Sequence, residues 1–220
     1  MLQGKTIIVT GANGALGRQV VQCAIGHGAR VVEFDLHFEH DADNRYVVDL
    51  TSEEIVTGCV DAVGAVDGVF NIAGGFAMGP AVHETSEDDW AAMHQMNVVT
   101  MRNMVAAVVP GMMARGRGSI VNIGANSARE GQASMGAYVA AKSTVMRLTE
   151  GMAKELRGHG INVNAVLPSI IDTPTNRADM PDANHSKWVS PADLAEVICF
   201  LGSDAARAVH GALVPVVGLS

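Results

Sequence analysis

Short apolar, β-branched runs alternate with longer segments of helical periodicity along the whole chain. The runs Thr6–Thr10, Arg30–Asp35, Arg45–Val48, Gly68–Ile72, Ser119–Ile123, Asn162–Val166 and Ala212–Val217 predict strands, because such residues between turn formers suit a pleated, buried backbone. Between them, apolar positions recur at helical spacing near Ala15–His27, Ser52–Gly64, Ser86–Val109, Gly136–Gly158 and Pro191–Ser203. The alternation predicts parallel strands joined by crossover helices. The strand cores IIV, VVEF, GVFNI, SIVNI and NVNAV are apolar on both faces, so helices must cover the sheet on both sides. The expected architecture is α/β: one doubly wound domain over residues 1–220, with a seven-stranded, mainly parallel sheet. The crossover Thr51–Asp67 is short, and no repeat, linker or low-complexity tract interrupts the pattern.

Composition narrows the partners. The 220 residues are 48% hydrophobic, which excludes a disordered or collagen-like chain. A net charge of -8 without any basic run argues against a nucleic-acid binder, whose affinity comes from clustered Lys and Arg. Cys23, Cys59 and Cys199 are far apart and odd in number, which offers neither a disulfide framework nor a CxxC metal knuckle. The most apolar long stretch, Val98–Ala114, is broken by Arg102, Asn103 and Pro110, short of a membrane span. With no secretory signal pattern at Met1–Lys5, a soluble, cytoplasmic protein with no membrane partner is expected.

Open parallel sheets bind ligands beyond the carboxyl ends of their strands. The first strand runs into Thr10-Gly11-Ala12-Asn13-Gly14-Ala15-Leu16-Gly17 and then a helix. Glycines allow a tight turn and close backbone approach to a pyrophosphate, while the helix N-terminus supplies free N–H groups. Asp35, 18 residues beyond Gly17, ends the second strand, where a carboxylate can accept hydrogen bonds from both ribose hydroxyls. It would also repel a 2′-phosphate, and Asn13, Gly14 and Leu36 offer no compensating cation, so NAD(H) is expected over NADP(H). This is a Rossmann-type arrangement. In Tyr138-Val139-Ala140-Ala141-Lys142 the spacing of four puts phenol and ammonium on one helical face. A nearby cation favours phenolate, so Tyr138 is expected to have a lowered pKa and to exchange a proton with substrate.

Together these residues resemble the short-chain dehydrogenase/reductase family over the whole chain. Thr10–Gly17 is similar to its TGxxxGxG loop, with Ala15 replacing the middle glycine. Asp49-Leu50 resembles the acidic adenine-contacting position, and Asn71-Ile72-Ala73-Gly74 resembles the NNAG strand end. Asn97 falls where the family's catalytic asparagine holds a proton-relaying water. Pro168–Thr173, including Ile170 and Ile171, resembles the PGxxxT segment that clasps the nicotinamide, with Ser169 for glycine. The resemblance implies Tyr138 as acid/base, Lys142 lowering its pKa and holding the ribose, and Asn97 supporting the relay.

One departure bears on mechanism. The family's catalytic serine lies 13 residues before the tyrosine, and here that position is Ala125; Ser127 is two residues later. Either Ser127 substitutes in reducing a small carbonyl, or the chemistry needs no serine. The second reading resembles the quinoid dihydropteridine reductase-like subgroup, which keeps Tyr and Lys without that serine; Ala73-Gly74-Gly75-Phe76, Gly124-Ala125-Asn126 and Asp172–Arg177 carry the similarity. Hydride plus one proton from Tyr138 suffices for a quinonoid imine. A third reading, a dinucleotide-binding sensor or scaffold without turnover, needs Lys142 at most and leaves Tyr138 and Asn97 idle.

The segment from about 169 to 190, rich in Pro, Asp, Asn and Met, is expected to form a mobile cover over a small-molecule substrate, with Phe76, Met78 and Trp188 as candidate apolar walls. The eight histidines show no ligand spacing, and no metal is expected. The two long helices carry Met93, Met96, Val98, Met101, Met104, Val105, Val145, Met146 and Met152 around much of their circumference, which points to a homodimer or homotetramer.

Overall fold

A computed structural model describes residues 1–220. Seven strands form one sheet: β1 (Thr6–Thr10), β2 (Arg30–Asp35), β3 (Arg45–Val47), β4 (Gly68–Asn71), β5 (Gly118–Ile123), β6 (Ile161–Pro168) and β7 (Leu213–Val216). Their order is β3-β2-β1-β4-β5-β6-β7, and every pairing is parallel. The mainly parallel sheet expected from the pattern is therefore wholly parallel. The order reverses between β1 and β4, which opens a crevice at their carboxyl ends. No helix is long and apolar enough to cross a membrane.

Alternation along each strand sends neighbouring side chains to opposite layers. Ile7 and Val9 join Val20, Val121 and Ile198 under α1 (Ala15–Gly26) and α7 (Pro191–Leu201). Ile8 joins Val56, Met104, Ile120 and Val163 under α2 (Glu53–Val63), α4 (Thr100–Arg115) and α5 (Gly136–Leu156). Phe70, Ile7 and Ile8 are fully buried, each worth about 1.5–3 kcal/mol relative to exposure. Serine hydroxyls start two of the crossover helices, α2 and α7: Ser52 accepts from Ile55 N, and Ser190 from Asp193 N at 3.1 Å with Pro191 as first helical residue.

The predicted helix Ser86–Val109 divides into α3 (Glu87–His94), one π-helical turn at Gln95–Val99, and α4, which runs past Pro110 to Arg115. Pro110 does not end the helix because it and Ala106, whose carbonyl loses its partner, both face solvent, so water can satisfy that carbonyl. Pro215 is tolerated in β7 because that strand lies at the sheet edge.

The apolar excess on the long helices is largely absorbed within one chain. Met93, Val98, Met101 and Val145 pack with Ala137 and Ala141 between the π turn and α5, while Met104 and Met146 are buried elsewhere in the core.

Candidate active site

The carboxyl ends of β1, β2, β4, β5 and β6 open into one cleft of about 1300 Å³. Gly11, Asn13, Gly14, Ala15, Leu16 and Gly17 line one end of it. Gly11 has φ +62°, and a side chain there would press on the Ala73 backbone at 2.9 Å. A side chain at Gly17 would run into Gly11 O. Thr10 Oγ1 accepts from Ala73 N at 3.1 Å, which ties this loop to the one after β4. Gly14, at the N-cap of α1, offers no side-chain cap, so the first-turn amides are left for an anion.

Asp35 sits at the β2 end of the cleft, its Oδ2 accepting from Asn13 N at 2.9 Å and its Oδ1 from Leu36 N at 2.7 Å. Each oxygen keeps a lone pair for a further donor. The local sequence around Asp35 contains no cation, but the fold brings one close: Arg18 donates to Asn13 O and approaches Asn13 Oδ1 at 3.4 Å. Asp49 and Leu50 also line the cleft, and the Thr51 hydroxyl and amide hold the Asp49 carboxyl below its ordinary range. Asn71 does not reach the lining. It is buried between strands, donating to Asn122 Oδ1 at 2.9 Å, and Asn122 in turn donates to Thr149 Oγ1 at 2.9 Å.

Tyr138 and Lys142 lie one turn apart on α5 and both face the cleft. Lys142 is buried, with Nζ donating to Ile123 O at 3.0 Å. Asn97, in the π turn, donates to Gly75 O at 3.1 Å and Met93 O at 3.0 Å, and accepts from Gly75 N at 3.2 Å. Both amide hydrogens are thus engaged, so the side chain latches the loop after β4, while Oδ1, which accepts from Gly75 N, keeps a second lone pair. A side chain at Gly74 would meet Asn97 Oδ1 at 2.7 Å and Lys142 Nζ at 3.3 Å, so these two groups converge on that glycine. A π turn at such a point adds one residue and re-aims the side chains around it.

The lowered phenol pKa expected from the Tyr-Lys spacing is not what the geometry produces. Burial pushes Tyr138 up to about 12 and Lys142 down to about 8. Desolvation opposes the charged form of each, and the Lys142 hydrogen bond goes to Ile123 O. Tyr138 is therefore held as a neutral phenol, a proton donor.

Ala125 is buried beside Tyr138 in the cleft wall; Ser127 and Asn126 also line it. Asn126 Oδ1 is buried with no hydrogen-bond partner, a polar group to which the sequence pattern assigned no role in the site. Phe76 stacks edge-on against Tyr138, and Met78 lines the same region. Trp188 does not: it is buried behind the cover, 4.4 Å from the His185 ring between centroids.

Pro168, Ile170, Ile171 and Thr173 line the far side. The covering segment contains a short helix, α6 (Pro174–Asp179), capped by Thr173 Oγ1 accepting from Asn176 N at 3.2 Å. It is anchored at its base, with Asp172 N donating to Val189 O at 2.8 Å and Ser169 Oγ donating to Val217 O at 3.0 Å.

A wholly parallel, doubly wound sheet with a glycine-rich turn into its first helix defines the Rossmann class of dinucleotide-binding folds. The family model for short chain dehydrogenases matches residues 5–184, and the chain belongs to that family. It is 30% identical over 241 aligned positions to the 3-oxoacyl-acyl-carrier-protein reductase FabG of Thermotoga maritima, covering 99% of this chain and 98% of that one. The gluconate 5-dehydrogenase of Burkholderia cenocepacia J2315, solved with NADP and tartrate, superposes with a TM-score of 0.91 at 28% identity, covering 99% of this chain and 95% of that one. The carveol dehydrogenase of Mycobacterium avium, solved with NAD, gives 0.87 at 27% identity, with 99% and 97% covered.

Proposed function

We propose that this oxidoreductase transfers hydride between a nicotinamide dinucleotide, NAD(H) by preference, and a small carbonyl, alcohol or quinonoid substrate. The observation that carries the reading is the convergence of Tyr138 and Lys142 on a cleft that also holds the uncapped N-terminus of α1 and Asp35. The residues fit such a cofactor: first-turn amides for a pyrophosphate, Asp35 lone pairs for ribose hydroxyls, and Pro168, Ile170, Ile171 and Thr173 for the nicotinamide end. Relatives of comparable similarity are solved with NADP and with NAD, so the preference rests on Asp35 alone.

Bound nicotinamide supplies or accepts the hydride. Tyr138, held as a phenol by its burial, donates the proton to the substrate atom that gains the hydride. Lys142, one turn away with Nζ donating to Ile123 O, would hold the cofactor ribose, while Asn97 positions the loop at Gly75. Ser127 is the candidate carbonyl-polarising donor. A quinoid dihydropteridine reductase-like activity is the second reading, favoured by buried Ala125 where a donor would stand and by the aromatic wall at Phe76.

Stopped-flow oxidation of NADH against quinonoid dihydropterin and a panel of ketones and aldehydes tests both. Oxidation by the pterin alone selects the second reading; oxidation by ketones, lost in Ser127→Ala, selects the first. Tyr138→Phe should lower turnover by about 10²–10⁴-fold with cofactor binding retained. Unchanged turnover in that variant would overturn the mechanism.

A further inference from the structure

We propose that Cys23, His27 and Glu196 form a transition-metal site, suited to Zn²⁺, that clasps α1 to α7 away from the cleft. Cys23 and His27 are four residues apart at the end of α1 and share a helical face. Helix α7 packs alongside and brings Glu196 to them, 169 residues on from His27. One donor atom from each residue lies within 4.8 Å of the other two, and His27 Nε2 is 2.8 Å from Glu196 Oε2. The Cys23 thiol lies beside the same carboxylate, with the Cys199 thiol next to it.

The donor set selects the ion. One thiolate, one imidazole and one carboxylate are ligands of Zn²⁺ and its neighbours, whereas Ca²⁺ and Mg²⁺ require mostly oxygen. Bonds of about 2.0 Å to nitrogen and oxygen place tetrahedral donors about 3.3 Å apart, so a small widening of the His27–Glu196 pair admits the metal. A surface ion pair explains His27 with Glu196 but not a thiol turned toward the same point.

Two further features favour a cation here. The last turn of α1 contains no basic residue, so the negative end of its dipole is uncompensated until His27 at the cap. The His27 and Glu196 side chains are 26% and 59% exposed, which provides an entry path and room for water in the fourth position. On binding, the Cys23 proton passes to solvent and a sulfur–metal bond forms; nothing is oxidised. The cleft takes only the opposite end of α1, Ala15–Gly17, so occupation need not disturb the cofactor loop.

Protein stripped with EDTA and kept under a phosphine reductant is titrated with Co²⁺, then with Zn²⁺. One equivalent of Co²⁺ per chain should bind with thiolate-to-cobalt charge-transfer absorption, be displaced by Zn²⁺, and raise the melting temperature. Cys23→Ser, His27→Gln and Glu196→Gln should each weaken binding, the first two by about a hundredfold or more, since even outer-shell partners are worth up to that. His27→Gln, at a partly exposed position, serves as the variant least able to perturb folding, with circular dichroism as the check. Absence of the charge-transfer band overturns the site. So does a band that persists at full strength in His27→Gln, which would reduce the site to adventitious thiol binding.

Discussion

The ring of Phe76 meets the ring of Tyr138 edge-on, with centroids 4.9 Å apart and planes at 80°. Phe76 is nonetheless 59% exposed, so one face remains free toward the cleft. An aromatic set against Tyr138 both holds the phenol's orientation and offers a flat apolar wall. Phe76→Ala should raise KM for a planar substrate by up to about tenfold, since such aromatic pairs contribute about 0.5–1.5 kcal/mol beyond area. Steady-state kinetics with planar and aliphatic substrates checks this: an equal effect on both would show that Phe76 only orients Tyr138.

Lys142 should make activity depend on pH. Its ammonium is held down to about 8 by burial, so the cation at the site is lost as pH rises through about 8. kcat/KM for reduction should fall above that pH, and Lys142→Arg, which keeps its charge, should move the limb upward. A limb unmoved in Lys142→Arg would assign the titration elsewhere.

The same burial carries a stability cost. A lysine whose folded pKa lies below its unfolded value of about 10.4 opposes folding fully below pH 8, and the cost disappears as pH rises through that window. Lys142→Met should therefore stabilise the fold near neutral pH by about 1–3 kcal/mol, allowing for the lost bond to Ile123 O, while removing turnover. Urea denaturation at pH 7 and at pH 10 should show the gain shrinking at the higher pH.

Asn97→Ala should leave both the N–H and C=O of Gly75 without their partner. Each orphaned group costs about 1–3 kcal/mol if it stays buried, so a fall in melting temperature is expected along with weaker cofactor binding. Thermal unfolding with and without NADH measures both; loss of turnover with neither change would restore a direct role in proton relay.

Asp35→Ser should raise affinity for NADPH by about tenfold or more, because it removes the repelling carboxylate while leaving Arg18 beside Asn13 to face a 2′-phosphate. The double variant Asp35→Ser with Arg18→Ala should lose that gain. Equal affinity of the unaltered protein for NADH and NADPH would remove Asp35 as the selector.

Much of the fold was legible because the pattern is local and repetitive. Strand runs such as Ile7-Ile8-Val9 and the helix starts near Ser52 and Pro191 sit where the hydrophobic period says they must. The cleft residues were mostly legible too, since strand ends in a parallel sheet share one rim: Gly11, Asp35, Gly74, Tyr138 and Pro168 meet there. Trp188 and Asn97 stay out of the lining, and so does Asn71. Its place at a strand end did not reveal which way its side chain turned, and packing turned it inward to Asn122.

The order of elements, the glycine turn and the one-turn separation of Tyr138 from Lys142 follow from the sequence by itself, because each depends on spacing along the chain. Tertiary structure alone decided what depends on distance across it. Whether Lys142 lowers or burial raises the Tyr138 pKa is a contest between a nearby charge and lost solvent, settled by depth in the cleft. Asn97 became a latch because its amide found Gly75, and Cys23 with His27 gained a third donor because α7 folded back to set Glu196 against them. Electrostatics and hydrogen bonding act over a few ångströms, and positions 169 residues apart come that close only once the sheet is wound.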